Sequence, residues 1–398
     1  MYDISRTAKR RVIFNTMIDQ DFTIKTLQKL VQINSVNPDL ENGGAGEAEI
    51  GSYIFTLLEK MGIETEIDEI APGRLNVTGV IKGEGTGPSL MLNAHMDTVG
   101  VKGMVDPFSG KIADGVLFGR GAYDMKGSIA AILAAAKSIR EERVSLKGDL
   151  VLSFVADEEY ESIGAQALVN KIKTDSAIVT EPTNLNLCTA HRGFGIWKIT
   201  TKGKTAHGGN HHLGVDANMN MGLLLAEFHK KSKDLSEKKS HQLCGEASMH
   251  VPMISGGRSL FIYADECVIR LERRTLPGEK KEQIETELLE ILEKLRDQHA
   301  GFEAEMESEI WRSPYEIDRS ASIVKDLEKA VAGITGKPPK IIGHTWWEDS
   351  AIFGDAGIET VILGPKGGGI HEDVEWVEID SVIKLAEIFR LILSDRTV

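Results

Sequence analysis

Leucine, isoleucine and valine recur at helical spacing over residues 21–34 and 47–61. Ser89-Leu-Met-Leu-Asn93 is then a short apolar run that ends at Ala94-His95. Residues 126–142 return to a helical period rich in alanine, isoleucine and leucine. Asp149-Leu-Val-Leu-Ser-Phe-Val155 and Ser176-Ala-Ile-Val-Thr180 are further unbroken apolar runs. Unbroken apolar strands separated by helices indicate a mostly parallel sheet buried on both faces.

From about Gly193 the texture changes. Phe194 to Thr201 alternates apolar and polar, as a strand with one wet face does, and a helix over 214–231 precedes a polar loop at 232–241. Cys267 to Leu271 reads as a strand, 278–298 as a long amphipathic helix, and Phe302 to Ile310 alternates again. After Pro314 the first texture resumes, with a helix at 320–334, the strand Thr360-Val-Ile-Leu363 and a closing helix at 379–393. The expected fold class is therefore α/β: a helix-covered, mostly parallel sheet formed by residues 1–192 and 312–398, interrupted by a smaller α+β module at 193–311.

Bulk composition adds exclusions. A length of 398 residues fits about two cores. The 46 Lys+Arg against 60 Asp+Glu give a formal charge of −14, opposite to what a nucleic-acid partner requires. Cys188, Cys244 and Cys267 lack any Cys-x-x-Cys spacing, so they are expected to be small buried hydrophobes instead of disulfide or thiolate-metal residues. Lys9, Arg10 and Arg11 are followed by only three apolar residues before Asn15, too few for a signal peptide, and no run approaches a membrane span. The expectation is a cytoplasmic protein without a membrane partner.

Chemistry-bearing residues collect where the apolar runs stop. His95 and Asp97 follow the first strand, Asp124 precedes the alanine-rich helix, Glu158 and Glu159 follow 149–155, Glu181 follows 176–180, and His371 lies beyond 360–363. In an open α/β sheet the carboxyl ends of the strands border one crevice, so these distant residues converge. Each has an ordinary alternative: Asp124 as a helix cap, Asp157-Glu158-Glu159 as a wet turn, His371 as loop surface. Those alternatives would have to hold at every strand end together. Oxygen and imidazole donors without thiolate suit two divalent cations, Zn²⁺ first, with Co²⁺ or Mn²⁺ as substitutes. If His95 and His371 each take one cation, Asp124 bridges and Glu159 and Glu181 complete the set, then three carboxylates and a hydroxide balance two dications, as burial demands. Asp97 is then spaced to accept the second imidazole N–H of His95, and Glu158 is left as general base. Gly119-x-Gly121 lacks the third glycine of a dinucleotide site and runs into Asp124, and no Gly-x-Ser-x-Gly elbow is present.

The residues also resemble a known family. His95-Met-Asp97-Thr-Val99, Asp106-Pro-Phe-Ser-Gly110 with Gly119-Arg-Gly-Ala-Tyr-Asp124, Asp157-Glu158-Glu159, Thr180-Glu181-Pro182-Thr183, and His371 with Glu375 are similar, in order, to the motifs of the di-zinc metallohydrolases. That family includes acetylornithine deacetylase, succinyl-diaminopimelate desuccinylase, aminoacylase and glutamate carboxypeptidase. The resemblance implies a catalytic domain with an inserted lid, and a homodimer in which a lid histidine, here His207, reaches across to the scissile carbonyl. It implies that Arg274, within Glu272-Arg273-Arg274-Thr-Leu-Pro277, pairs with a substrate carboxylate, a task suited to a planar guanidinium. Glu181, where peptidase members carry aspartate, points to removal of an acyl group from an N-acyl amino acid. A dipeptidase or carboxypeptidase is the alternative, and a metal-holding protein without turnover is a reading from a different class. Two departures stand out: Phe261 occupies a lid position where many members have asparagine, and Gly100 one where proline is common.

Overall fold

The computed structural model describes residues 18–396 except 239 and 395. Its centre is a nine-stranded mixed sheet. Leu90–His95 lies between Leu150–Val155 and Ser176–Val179, parallel to both, and Glu359–Ile362 continues the parallel set. These are the unbroken apolar runs, and the first three are buried along their whole length. The Glu64–Ala71/Arg74–Ile81 hairpin adds antiparallel strands at one side, and at the other Leu187–His191 runs antiparallel to Glu359–Ile362 and pairs with Tyr315–Glu316, antiparallel, and Ile341–His344, parallel. Helices Gln20–Gln32, Gly127–Glu141 and Ile379–Ser394 pack through residues such as Leu27, Leu30, Ile132 and Phe389 into the main core.

The alternating segments form a separate four-stranded antiparallel sheet, in the order Ser248–Gly256, Glu266–Thr275, Gly193–Lys202, Glu303–Arg312. Its inner face, with Trp197, Ile199, Ile269 and Leu271, packs on helices Ala217–Lys238 and Lys281–Gln298 to make a second core.

One expectation needs correction, and one strand had carried no sequence signal. The polar loop expected at 232–241 is helix as far as Lys238. Leu235, seven residues after Phe228, is buried, so the apolar stripe persists where lysine and glutamate cover the wet side. The Glu64–Ala71 strand gave no apolar signal because it is an edge strand whose side chains are mostly part-exposed and acidic. All three cysteines are free and buried, as expected. Among the described residues no helix is long and apolar enough to cross a membrane.

Candidate metal centre

Five chain segments bring their acids and imidazoles together at the carboxyl ends of the central strands. His95 ends its strand; Asp124 sits in an irregular turn, Ala122–Lys126, just before the buried helix. The turn is fixed from behind by Glu375. Its carboxylate accepts the backbone N–H groups of Gly121, Tyr123 and Asp124 at 2.9, 2.9 and 3.0 Å and pairs with Arg120 at 2.8 Å. Gly121 has φ +77, and a Cβ there would lie 2.7 Å from Thr98 Cγ2, so glycine is needed at this bend.

Asp124 lies between the two imidazoles. Its Oδ1 is 3.1 Å from His95 Nε2 and its Oδ2 3.2 Å from His371 Nε2. Glu181 adds an oxygen 3.6 Å from His95 Nε2, and Glu159 one 3.1 Å from His371 Nε2. Two lobes thus share one carboxylate. The potential donor atoms of His95, Asp124 and Glu159, and separately of His95, Glu158 and Glu181, lie within 4.8 Å of one another. Oε1 of Glu159 and Oε1 of Glu181 are buried without a hydrogen-bond partner. A buried carboxylate oxygen lacking any donor is costly, and a cation is the partner that this donor set fits.

Electrostatics point the same way. Burial raises the proton affinity of Glu158, Glu159 and Glu181, and neighbouring carboxylates add to it. Burial pushes Asp124 upward too, but the His371 and His95 imidazoles outweigh it and hold the carboxyl below its usual range. Hydrogen bonds to Asp124 and Glu159 push His371 up to about 10. A folded value above the ordinary 6.5 means that the bound proton stabilises the fold fully below about 6.5, and that this contribution fades as pH rises toward about 10. Cation uptake needs neutral imidazoles, so it is expected to release protons and to weaken as pH falls. Titrating Zn²⁺ into stripped protein, in buffers of different ionisation enthalpy, measures this; a proton count of zero between about pH 6.5 and 8 would be the contrary result.

Asp97 meets both His95 and the turn that carries Glu158. The Nδ1 of His95 meets the backbone carbonyl of Asp97 at 3.0 Å, whereas the carboxylate is 3.5 Å away. That carboxylate also accepts the N–H groups of Glu158 and Glu159 at 3.1 and 3.2 Å, and the Asn37 amide at 2.8 Å. It ties the His95 strand end to the turn that carries Glu158. Beside it, Asp157 joins a buried set with Arg74, at 2.7 Å, and Glu47. Asn37, Arg74 and Glu47 carried no sequence signal, because their partners lie far along the chain.

The centre opens into a cavity of about 430 Å³. Arg274 lines it, with its guanidinium 5.0 Å from the Phe194 ring centre and paired with Glu272. Arg312, Trp346, Trp347 and Glu348 also line it, and none was found from sequence. The Trp-Trp pair was the one available signal. His207 is exposed and is not part of this cavity wall; it bridges to Ile262, beside Phe261, which is 74% exposed. Phe261 therefore does not make the cavity of its own chain more apolar.

Comparison with known proteins agrees with this geometry. The chain is 27% identical over 376 residues to the N-formyl-4-amino-5-aminomethyl-2-methylpyrimidine deformylase of Bacillus subtilis, covering 87% of this chain and 88% of the relative. It is 24% identical over 389 residues to a "probable succinyl-diaminopimelate desuccinylase" of Staphylococcus aureus, covering 88% and 93%. Its fold is similar to that of aminopeptidase PepT from Bacillus cereus, with a TM-score of 0.78 at 22% identity over 96% of this chain and 99% of that one. It is also similar to a dinuclear metal-binding M20 peptidase of Bacillus subtilis, with a TM-score of 0.72 at 16% identity over 94% and 98%. The family model described as Peptidase family M20/M25/M40 matches residues 91–395, a span that holds every acid and imidazole of the centre, and the chain belongs to that family of metallohydrolases.

Proposed function

We propose that the protein is a two-metal amide hydrolase that removes an acyl group from an N-acyl amino acid or a similar small substrate. The observation that carries this reading is Asp124 placed between His95 and His371, with Glu158 beside them at the base of a cavity that also holds Arg274. His95, Asp124 and Glu181 would hold one cation, and His371, Asp124 and Glu159 the other. When bound, the pair, Zn²⁺ by donor chemistry, supplies Lewis-acid polarisation of the amide carbonyl and a more acidic attacking water. Glu158 takes the proton of that water on a carboxylate oxygen and passes it to the leaving nitrogen. A buried carboxylate of raised proton affinity suits both halves of that transfer. Arg274 presents its fork to a substrate carboxylate. The names of the deformylase and desuccinylase relatives support deacylation.

A panel of N-acetyl, N-formyl and N-succinyl amino acids, run beside dipeptides and carboxylate-free N-acyl amines with added Zn²⁺ or Co²⁺, tests this. Turnover of the acyl amino acids above both other sets is expected. Faster hydrolysis of dipeptides would make the protein a peptidase, and two bound metals with no turnover anywhere would make it a binding protein.

His207 completes the proposal. It stands outside its own chain's cavity, so it would act on the oxyanion only from a second subunit, in a homodimer formed through the lid. Chains carrying Glu158→Ala and His207→Ala, each inactive alone, are expected to recover activity when mixed and allowed to exchange. No recovery in a mixture shown to contain heterodimer would remove His207 from the reaction.

A further inference from the structure

Glu348 is part of the cavity wall yet has no place in the chemistry above. It is 1% exposed. One carboxylate oxygen is held by Nδ1 of His344, four residues earlier, and the other, Oε2, is buried without a hydrogen-bond partner. It belongs to neither cluster of metal-capable groups. His344 occupies one oxygen through Nδ1 and leaves the other in need of a donor.

Two indoles, Trp346 and Trp347, line the same cavity. The His344 ring stacks on Trp346 with centroids 4.2 Å apart and planes at 24°, so the group that clamps Glu348 also clamps the indole. Trp346 remains 45% exposed. Trp347 is held by its Nε1–H donating to the Ser313 carbonyl at 3.1 Å, with Arg312 5.3 Å from its ring centre. The two arginines of the wall have partners of their own: Arg274 pairs with Glu272, and Arg312 donates to the Glu161 carbonyl at 2.9 Å. Neither arginine is ion-paired with Glu348.

An under-bonded carboxylate beside two indoles is an arrangement suited to an ammonium ion, which supplies the missing donor and is attracted to aromatic faces. We propose that Glu348, positioned by His344 and flanked by Trp346 and Trp347, is a specificity subsite for a protonated amine on the substrate. With Arg274 on the same cavity, the preferred substrate is zwitterionic, carrying an ammonium group as well as a carboxylate. This rests on the amide-hydrolase reading. The amine could be a second amino group on the leaving amino acid or the free N-terminus of a short peptide.

Two matched pairs separate these sources: Nα-acetylornithine against N-acetylnorvaline, and glycyl-leucine against glycolyl-leucine, in which a hydroxyl replaces the ammonium. The metal-loaded enzyme is expected to prefer the ammonium member of one pair by roughly ten- to a hundredfold in kcat/KM, the range of a charge-assisted hydrogen bond. Glu348→Gln, which keeps an acceptor for His344, should collapse that ratio toward one with two metals still bound. Trp346→Ala should reduce the ratio several-fold and Trp346→Phe restore most of it. Equal treatment of both members by the wild type, or an equal loss for both in Glu348→Gln, overturns the subsite while leaving the hydrolase reading intact. If neither pair is hydrolysed, the hydrolase reading is what suffers. The subsite is then judged by calorimetry of ornithine and norvaline on the metal-loaded protein: tighter ornithine binding lost in Glu348→Gln upholds it, and equal binding ends it.

Discussion

Replacing Glu158 with alanine is expected to lower kcat by about 10²–10⁴, the usual contribution of a positioned general base, with the metal content unchanged. The separation of the two effects is the informative part. Glu158 lies close to His95 and Glu181, so proximity alone would allow it to be a ligand. Three features argue for the base. The two lobes around Asp124 are each furnished by one imidazole and one further carboxylate without it. Its backbone N–H is fixed by the Asp97 carboxylate at 3.1 Å, which sets the aim of the side chain. Burial raises its proton affinity, as a group that must accept and then release a proton requires. Glu158→Gln keeps the shape but cannot accept the proton, so it should be as slow as the alanine variant. Metal analysis of both variants beside steady-state kinetics decides the matter; a parallel fall in bound metal would make Glu158 a ligand.

Asp124→Ala is expected to do more, costing both cations together and activity by at least as much as the loss of the base. The reason is the shared geometry: one carboxylate faces both imidazoles, at 3.1 and 3.2 Å, and no other described carboxylate touches both. Removing it leaves Glu159 and Glu181 as like charges in a buried site without the central ligand that lets two dications sit close together. Asp124→Asn tests the charge separately, since the amide can still be held by the Glu375-fixed turn. Measured stoichiometry should fall from two metals per chain toward zero in both variants. One tightly held metal with activity near that of the wild type would show that the lobes are independent.

How much of this was legible along the chain depends on the range of the interaction. The candidate ligands could be read because His95, Glu159 and Glu181 follow short apolar runs, Asp124 precedes an apolar helix and His371 lies beyond a further run, and the strand ends of an open sheet border a single crevice. His95, Asp124, Glu159, Glu181 and His371 all meet there. The second module was legible for a similar reason, since alternation in Gly193–Lys202 and Glu303–Arg312 marks strands with one wet face. Edge strands such as Glu64–Ala71 escaped because they bury little, so no apolar period marks them.

By itself, then, the sequence determined the fold class and the family to which the chain belongs and singled out the candidate donors, all through local hydrophobic period and short motifs. Tertiary structure alone decided that Asn37 and Arg74 brace the turn that carries Glu158, that His207 stands outside its own cavity, and that Trp346 and Glu348 form part of the cavity wall. The bracing contacts, Asn37 to Asp97 and Arg74 to Asp157, join residues 60 and 83 positions apart. A side chain's partner at that range is set by how sheets and helices pack, not by its neighbours in the chain.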